Sequence, residues 1–161
     1  KNTNFSFLHC VTLYPTPLNQ MHMARMDWLR NFTSSVGYSD HSLVSETGLL
    51  ASKAALTLGA EIIERHFTIL PHGDTRDGPV SINKVELCEL TNFSKLSSSD
   101  RLSKMDNDFP DWKIVIGDKE RILTDDELLN RDYYRGRFAS RRKESLSGTR
   151  LIYNWEKTPL L

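Results

Sequence analysis

The chain has 161 residues, of which 39% are hydrophobic and 26% are charged, and its 21 basic and 21 acidic residues cancel. This balance excludes a disordered chain and a global electrostatic attraction to nucleic acid or membranes. A compact domain of this length buries roughly 70% of the surface of its unfolded chain, so one sizeable core is possible.

The two cysteines and the chain start indicate the compartment and the extent of the protein. Cys10 lies in an apolar run and Cys88 in a helical pattern, without a CxxC motif, which predicts two buried, reduced thiols in a cytoplasmic protein. No apolar run approaches the ~20 residues of a membrane span, and no signal peptide opens the chain. Because Lys1 replaces an initiator Met and a strand follows within a few residues, we expect a piece of a longer polypeptide.

The first hundred residues alternate between strand and helix patterns. This order predicts a parallel sheet with crossover helices. The predicted strands cover residues 5–14, 35–40 and 60–68. The predicted helices cover residues 18–32, 43–58 and 83–96, and Gly59 is expected to end the second one.

The remainder of the chain has weaker signals. Residues 97–112 are predicted to form a connection with little structure, and a short apolar piece follows them. Thr124 and Glu127 have the spacing of a capping box, which predicts a short helix. From Arg131 to Lys143 the tail carries arginines interleaved with aromatic residues.

Polar side chains are placed near the ends of all three predicted strands. Because side chains alternate along a strand, Ser39 shares a side with His41, Glu64 with His66, and Thr12 with Tyr14. Parallel α/β folds place their active sites at these carboxyl ends. The two histidines could share a divalent metal ion, although buried histidines are more often hydrogen-bonded core residues, and the pattern alone leaves both interpretations open.

Four motifs in order and in register extend this argument. "LHCVTLYPTP", "VGYSDHS", "ALTLGAEIIERHFT" and "DTRDGPVSI" resemble the sialic acid synthase family over roughly residues 5–90. The resemblance implies a (β/α)8 barrel, an α/β fold that is also called a TIM barrel. It also implies condensation of phosphoenolpyruvate with N-acetylmannosamine or a related 2-acetamido sugar, which gives a nine-carbon 2-keto sugar acid and phosphate.

The same resemblance implies roles for individual residues. His41 and His66 match the histidines of the seventh and eighth barrel strands that hold a divalent metal ion, with Mn2+ favoured over Mg2+ or Co2+. Tyr14 matches a catalytic tyrosine that lines the substrate pocket. The other implied substrate-binding residues are Ser39 for phosphoenolpyruvate, Asp77 for sugar hydroxyls, and Thr12, which stands where several members have asparagine.

The chain is shorter than the barrel that the resemblance implies. A whole barrel takes about 250 residues, and the three strands match the sixth to the eighth. We therefore expect residues 1–104 to form the C-terminal part of a barrel and residues 105–161 to form an extension. Open strand edges predict contact with the missing N-terminal barrel half and a homo-oligomer, expected to be a dimer, and little activity for this chain alone.

Three other functions compete with this one. Another phosphoenolpyruvate-dependent keto-sugar-acid synthase would use the same barrel with a different acceptor. A nucleic-acid-binding module would use the tail "RDYYRGRFASRRK" to neutralise phosphates and stack on bases. A degenerate remnant would keep the barrel without activity. The SDHS and ERHFT motifs favour the sialic acid type of synthase, and nucleic acid is an unlikely partner.

Overall fold

The computed structural model describes the backbone of residues 5–134, 137–144 and 151–157, and the side chains of residues 5–130. The chain divides into two compact units, Lys1–Ile122 and Leu123–Leu161, which are described separately. The expected division between residues 104 and 105 stays a prediction. No helix among the described residues is both long enough and apolar enough to cross a bilayer.

A three-stranded parallel sheet forms the centre of the first unit. Its strands are β1 (Phe7–Cys10), β2 (Val36–Asp40) and β3 (Ile62–Arg65), with β2 in the middle. The prediction of a parallel sheet is confirmed, although each strand is shorter than expected. Ser39 of β2 lies between Cys10 of β1 and Glu64 of β3, so the carboxyl ends of the three strands meet at one edge.

The first crossover is not the continuous helix that its apolar spacing predicts. A 3-10 turn at Leu18–Gln20 is followed by the short helix α1 (Arg25–Leu29). His22 lies between them with a φ of 47°, in the left-handed region that ends a right-handed helix. Its Nδ1 accepts a 3.0 Å hydrogen bond from the amide of Asp118.

The second crossover is also divided. It consists of α2 (Val44–Thr47) and α3 (Leu50–Thr57), separated at Gly48, whose φ of 54° suits glycine. Residues 51–56 of α3 are all buried, because its small alanines pack closely against the sheet. Gly59 follows α3 with a φ of 86°, as the predicted helix end requires.

Two longer helices follow the sheet. In α4 (Lys84–Ser94), Asn83 caps the N-terminus and Glu86 completes a capping box. The predicted connection over residues 97–112 is wrong, because it contains the helix α5 (Ser98–Asp108). Ser97 caps α5 by accepting a 3.1 Å hydrogen bond from the amide of Asp100, a start signal that outweighs the polar composition.

The core lies between the sheet and these helices. It includes Met21, Met23 and Met26 from the first crossover, Tyr38 from β2, and Trp112 and Val115 from a 3-10 turn at Trp112–Val115. The prediction of two buried thiols is wrong for Cys88, which is exposed on α4, while Cys10 is half-buried. Both cysteines are free thiols.

The second unit begins with the predicted capping box. Thr124 Oγ1 accepts from the amide of Glu127 at 3.4 Å, and Glu127 Oε2 accepts from the amide of Thr124 at 3.1 Å. These bonds start α6 (Asp125–Tyr134), and an antiparallel pair of strands, β4 (Arg137–Glu144) and β5 (Leu151–Lys157), follows. The arginine and aromatic side chains that predicted a nucleic-acid contact lie beyond the side chains described here.

Candidate functional site

Two histidines face each other at the carboxyl ends of β2 and β3. His41 follows β2 directly, and His66 follows β3 directly. Their ring centroids are 5.3 Å apart, and the ring planes are inclined by 63°. The strand alternation seen in the sequence therefore brings both imidazoles to one side of the sheet edge.

Tyr14 joins the pair from the loop after β1. Its ring centroid lies 4.0 Å from that of His41 and 6.4 Å from that of His66. The loop is held against β2, because the amide of Thr16 donates a 2.9 Å hydrogen bond to the carbonyl of His41. Tyr14 is 57% exposed, so a large part of the side chain is accessible to solvent.

Asp77 reaches the site from the loop before α4. Its Oδ2 lies 3.8 Å from Nδ1 of His66, and its side chain is 54% exposed. Ser81 holds the loop by donating a 2.7 Å hydrogen bond to the carbonyl of Asp77. The amide of Ile82 bonds the carbonyl of His66 at 2.8 Å, so the loop is also tied to the end of β3. These bonds explain why Asp77 lies close to His66, eleven residues earlier in the chain.

Ser39 and Glu64 form a second polar group beside the histidines. Ser39 donates a 2.7 Å hydrogen bond to Oε1 of Glu64, its register partner on β3. Cys10 of β1 lies next to them, with its Sγ 3.8 Å from Nδ1 of His41. No motif in the sequence singled out Cys10 as a site residue.

Burial and neighbouring groups alter the ionisation of two site residues. Burial, with a smaller contribution from the nearby His66, lowers the pKa of His41 and favours its neutral form. Burial likewise raises the pKa of the Cys10 thiol, against the hydrogen bond with Ser39. A neutral imidazole has a free nitrogen lone pair, which is the form that binds metal ions.

Thr12 is the remaining predicted site residue. It lies exposed in the loop that follows β1, two residues before Tyr14. The structure thus brings Tyr14, His41, His66 and Asp77 into one cluster, with Ser39 and Glu64 beside it. Thr12 shares the loop of that cluster, and its contact with phosphoenolpyruvate stays a prediction.

Comparison with known proteins identifies the family. The model of the NeuB family matches residues 1–100, which include every residue of this cluster. The chain belongs to the NeuB family. The predicted resemblance to sialic acid synthases is thereby confirmed.

Named relatives of the chain are sugar acid synthases. It is 40% identical over 88 residues to N,N'-diacetyllegionaminic acid synthase of Campylobacter jejuni, which covers 54% of the chain and 25% of that protein. It is 39% identical over 101 residues to N-acetylneuraminate-9-phosphate synthase of Drosophila melanogaster, which covers 59% of the chain and 26% of that protein. The chain therefore spans about a quarter of the length of these relatives.

A solved structure establishes the architecture. The spore coat polysaccharide biosynthesis protein spsE of Bacillus subtilis superposes with a TM-score of 0.61 over 93% of the chain and 42% of its own length. At 24% identity this likeness concerns the fold alone. The predicted fold class is confirmed: the NeuB chain has the α/β fold of the C-terminal part of a TIM barrel.

The separation of the two imidazole rings in this NeuB chain is compatible with a shared metal ion. Two imidazoles that bind one ion through bonds of about 2.1 Å have ring centroids about 5 Å apart at a tetrahedral angle, close to the observed separation. The Asp77 carboxylate beside Nδ1 of His66 suits the orientation of a ligating imidazole through its other nitrogen. The described residues contain no group of three or more His, Cys, Asp and Glu side chains arranged for a metal.

Sequence reasoning missed a buried ion pair beneath the histidines. Asp40 precedes His41, Arg65 precedes His66, and the two charged side chains are 0% and 2% exposed. Strand alternation alone could have shown that residues 40 and 65 point away from the histidines and toward the helices. Their mutual contact became visible only with the register of β2 and β3.

Proposed function

We propose that this NeuB chain supplies the metal-binding side of a synthase that condenses phosphoenolpyruvate with N-acetylmannosamine or a related 2-acetamido sugar. The product is a nine-carbon 2-keto sugar acid, and phosphate is released. The observation that carries the proposal is the pair of imidazoles, 5.3 Å apart at the carboxyl ends of two neighbouring parallel strands. The similarity to N,N'-diacetyllegionaminic acid synthase and N-acetylneuraminate-9-phosphate synthase supports this class of reaction.

Different residues of the cluster would contact the metal ion, the acceptor sugar and phosphoenolpyruvate. His41 and His66 provide nitrogen ligands, and Asp77 holds His66 or accepts hydrogen bonds from sugar hydroxyls. Tyr14 covers one face of His41 and presents its exposed phenol to the acceptor sugar. Ser39 has one proton, which Glu64 accepts, so contact with the phosphoenolpyruvate carboxylate requires that proton to turn away from Glu64.

A divalent ion, with Mn2+ preferred over Mg2+ or Co2+, would supply Lewis-acid polarisation of the acceptor carbonyl when bound. The protein would contribute two imidazole nitrogens as ligands. Burial helps by keeping His41 unprotonated, which avoids competition between a proton and the ion. Water and substrate oxygens would occupy the other coordination positions, as an open catalytic site requires.

Other parts of the barrel would complete the active unit. In the described sheet β1 and β3 are the outer strands, so each has an outer edge that suits a further strand. Phe7 on β1 and Ile62 on β3 are 41% and 39% exposed, so a further part of the barrel could also cover these side chains. We propose that an N-terminal barrel half covers these edges and that the complete synthase is a homodimer. The free thiols Cys10 and Cys88 fit a cytoplasmic location.

Phosphate release tests the proposal directly. The chain with an N-terminal barrel half restored would be mixed with phosphoenolpyruvate, Mn2+ and N-acetylmannosamine, and in parallel with a 2,4-diacetamido sugar. We expect phosphate with at least one acceptor, a loss of at least 100-fold in His41→Ala and His66→Ala, and loss on chelation. The identity of the productive acceptor would decide between sialic and legionaminic types of product.

A histidine outside the cluster provides the matched control. Asn tolerates the left-handed backbone of residue 22 and can accept from the Asp118 amide, so His22→Asn should keep wild-type activity. Phosphate release that persists with chelator, or that His41→Ala leaves intact, would reject the metal-dependent reaction. No phosphate with either sugar would favour the remnant or a synthase with another acceptor.

A further inference from the structure

The ion pair beneath the site joins the two strands that carry the histidines. Asp40 and Arg65 are register partners on β2 and β3, and each stands one residue before a histidine. Their side chains are buried, at 0% and 2% exposure, on the side of the sheet opposite to the imidazoles. A contact between them therefore restrains the backbone next to His41 and His66 from the opposite side of the sheet.

The contacts of this pair surround the backbone of His41. Arg65 Nη1 donates to Oδ2 of Asp40, before His41, and Arg65 Nη2 donates a 2.9 Å hydrogen bond to the carbonyl of Ser42, after it. Oδ1 of Asp40 accepts from the amide of Ser42 at 2.9 Å, and Oδ2 accepts from Ser52 Oγ at 2.5 Å. One guanidinium on β3 thus holds both neighbours of His41, and Ser52 ties the carboxylate to α3.

Stability alone does not account for such an arrangement. Removal of two charges from water is costly, and apolar pairs of similar volume often stabilise a core equally well or better. Directional hydrogen bonds contribute something that apolar contacts do not, because the planar guanidinium fork fixes both distance and angle. We infer that the Asp40–Arg65 pair, with Ser42 and Ser52, sets the separation of His41 and His66. Asp40 and Arg65 are positioning residues for that pair of ligands.

This inference rests on the proposed function, in which the two histidines bind a metal ion. Its test compares Mn2+ affinity, measured by electron paramagnetic resonance of the free ion, among folded variants of the protein used in the phosphate assay. Arg65→Lys keeps the charge and loses the fork, and Asp40→Asn keeps the shape and loses the charge. We expect each to weaken Mn2+ binding by about 10- to 100-fold, as for other groups that orient metal ligands.

Another ion pair in the same unit supplies the control. Lys53 is also largely buried, at 6% side-chain exposure, and its Nζ pairs with Glu89 of α4 at 2.5 Å, whereas Arg65 bonds to both neighbours of His41. Lys53→Met should lower the midpoint of urea unfolding and leave Mn2+ affinity within about twofold of wild type, because its side chain contacts Glu89, Phe93 and Phe109 and not the groups that surround His41. If Lys53→Met and Arg65→Lys lost Mn2+ affinity equally, the loss would follow from lower stability of the unit as a whole. That result would overturn the inference.

A second readout does not depend on the metal. In the metal-free protein, nuclear Overhauser contacts between the rings of Tyr14 and His41, and ring-current shifts of His66, report the packing of the cluster. We expect these signals to weaken or shift in Arg65→Lys and to persist in Lys53→Met. If they and the Mn2+ affinity stay unchanged in a folded Arg65→Lys, the pair does not position the histidines.

The two proposals fail in different ways. Absence of Mn2+ binding in the wild type would reject the metal site of the proposed function, and the metal-free ring contacts would still decide the positioning role. If Asp40→Asn or Arg65→Lys does not fold, Ser52→Ala replaces them, because it keeps both charges and removes one bond to Asp40. A folded Ser52→Ala with wild-type ring contacts and affinity would then overturn the inference.

Discussion

The central strand β2 and the edge strand β3 are each followed by a histidine, but the two strands differ in their exposure to solvent. Every residue of β2 is buried, whereas β3 alternates between exposed and half-buried positions. His41 is accordingly 4% exposed, and the side chain of His66 is 37% exposed. Position within the sheet, more than the local motif, therefore decides how exposed each histidine is to solvent.

The acidic residues of the two strands show the same contrast. Asp40 of β2 is fully buried and accepts from Arg65, Ser42 and Ser52. Glu64 of β3 is exposed and accepts from Ser39 at 2.7 Å. The buried carboxylate organises the backbone behind the site, and the exposed one lies at the surface beside the histidines.

The largest expected effect is on the buried carboxylate. Asp40→Ala leaves the Arg65 guanidinium buried and unpaired, which should lower the free energy of unfolding by about 3–5 kcal/mol. Glu64→Ala loses one hydrogen bond at an exposed position and should cost about 0.5–1.5 kcal/mol. Urea denaturation followed by circular dichroism measures both values. If the two variants lost similar free energies of unfolding, the buried and exposed carboxylates would not differ in their contribution to stability.

A smaller effect is expected where β2 lies between its neighbours. A Cβ on Gly37 would overlap the carbonyl oxygen of Ile62 on one side and Cδ2 of Leu8 on the other. Gly37→Ala should therefore cost about 1–3 kcal/mol through overpacking. The matched control is Gly73→Ala in the loop after β3, where a Cβ meets no atom within 4 Å and the change should stay within about 0.5 kcal/mol.

If Gly37→Ala proved as mild as Gly73→Ala in the same urea experiment, β2 would have more freedom to shift between its neighbours than this packing implies.

The smallest effect is expected at the outer edge. Val36→Thr puts a hydroxyl into a site that is 1% exposed and should cost about 1–3 kcal/mol. Ile62→Thr on β3, at 39% exposure, should cost less than about 1 kcal/mol in the 161-residue chain. Ile62→Thr should lower the free energy of unfolding by more once an N-terminal barrel half is restored. Such an increase would indicate that a neighbouring part of the barrel packs on β3.

Several features of the site were predictable from local sequence. Alternation placed Ser39 with His41 and Glu64 with His66, and the structure brings each pair to the same edge. The glycine end of α3 and the Thr124 capping box followed from backbone chemistry that involves only a few neighbouring residues. The motifs that matched the sialic acid synthases then supplied the family, which no periodicity could have done.

Other features were not predictable from local pattern. The apolar spacing of residues 18–32 predicted one helix, but the left-handed His22, bonded to Asp118 almost a hundred residues later, interrupts it. The polar composition of residues 97–112 gave no sign of α5, in which Met105 is the buried residue. Cys88 has a helical pattern around it, yet the exposed side of α4 carries it.

The sequence by itself determined the strand and helix alternation, the side of each strand that carries polar groups, and the membership of the NeuB family, because these depend on short-range geometry and on motifs. Only the tertiary structure decided that Asp40 meets Arg65, that Tyr14 lies over His41, and that Asp77 returns to His66. The physical reason is that these contacts depend on strand register and loop closure. Both are settled by packing over the whole unit, and no stretch of the chain encodes either of them alone.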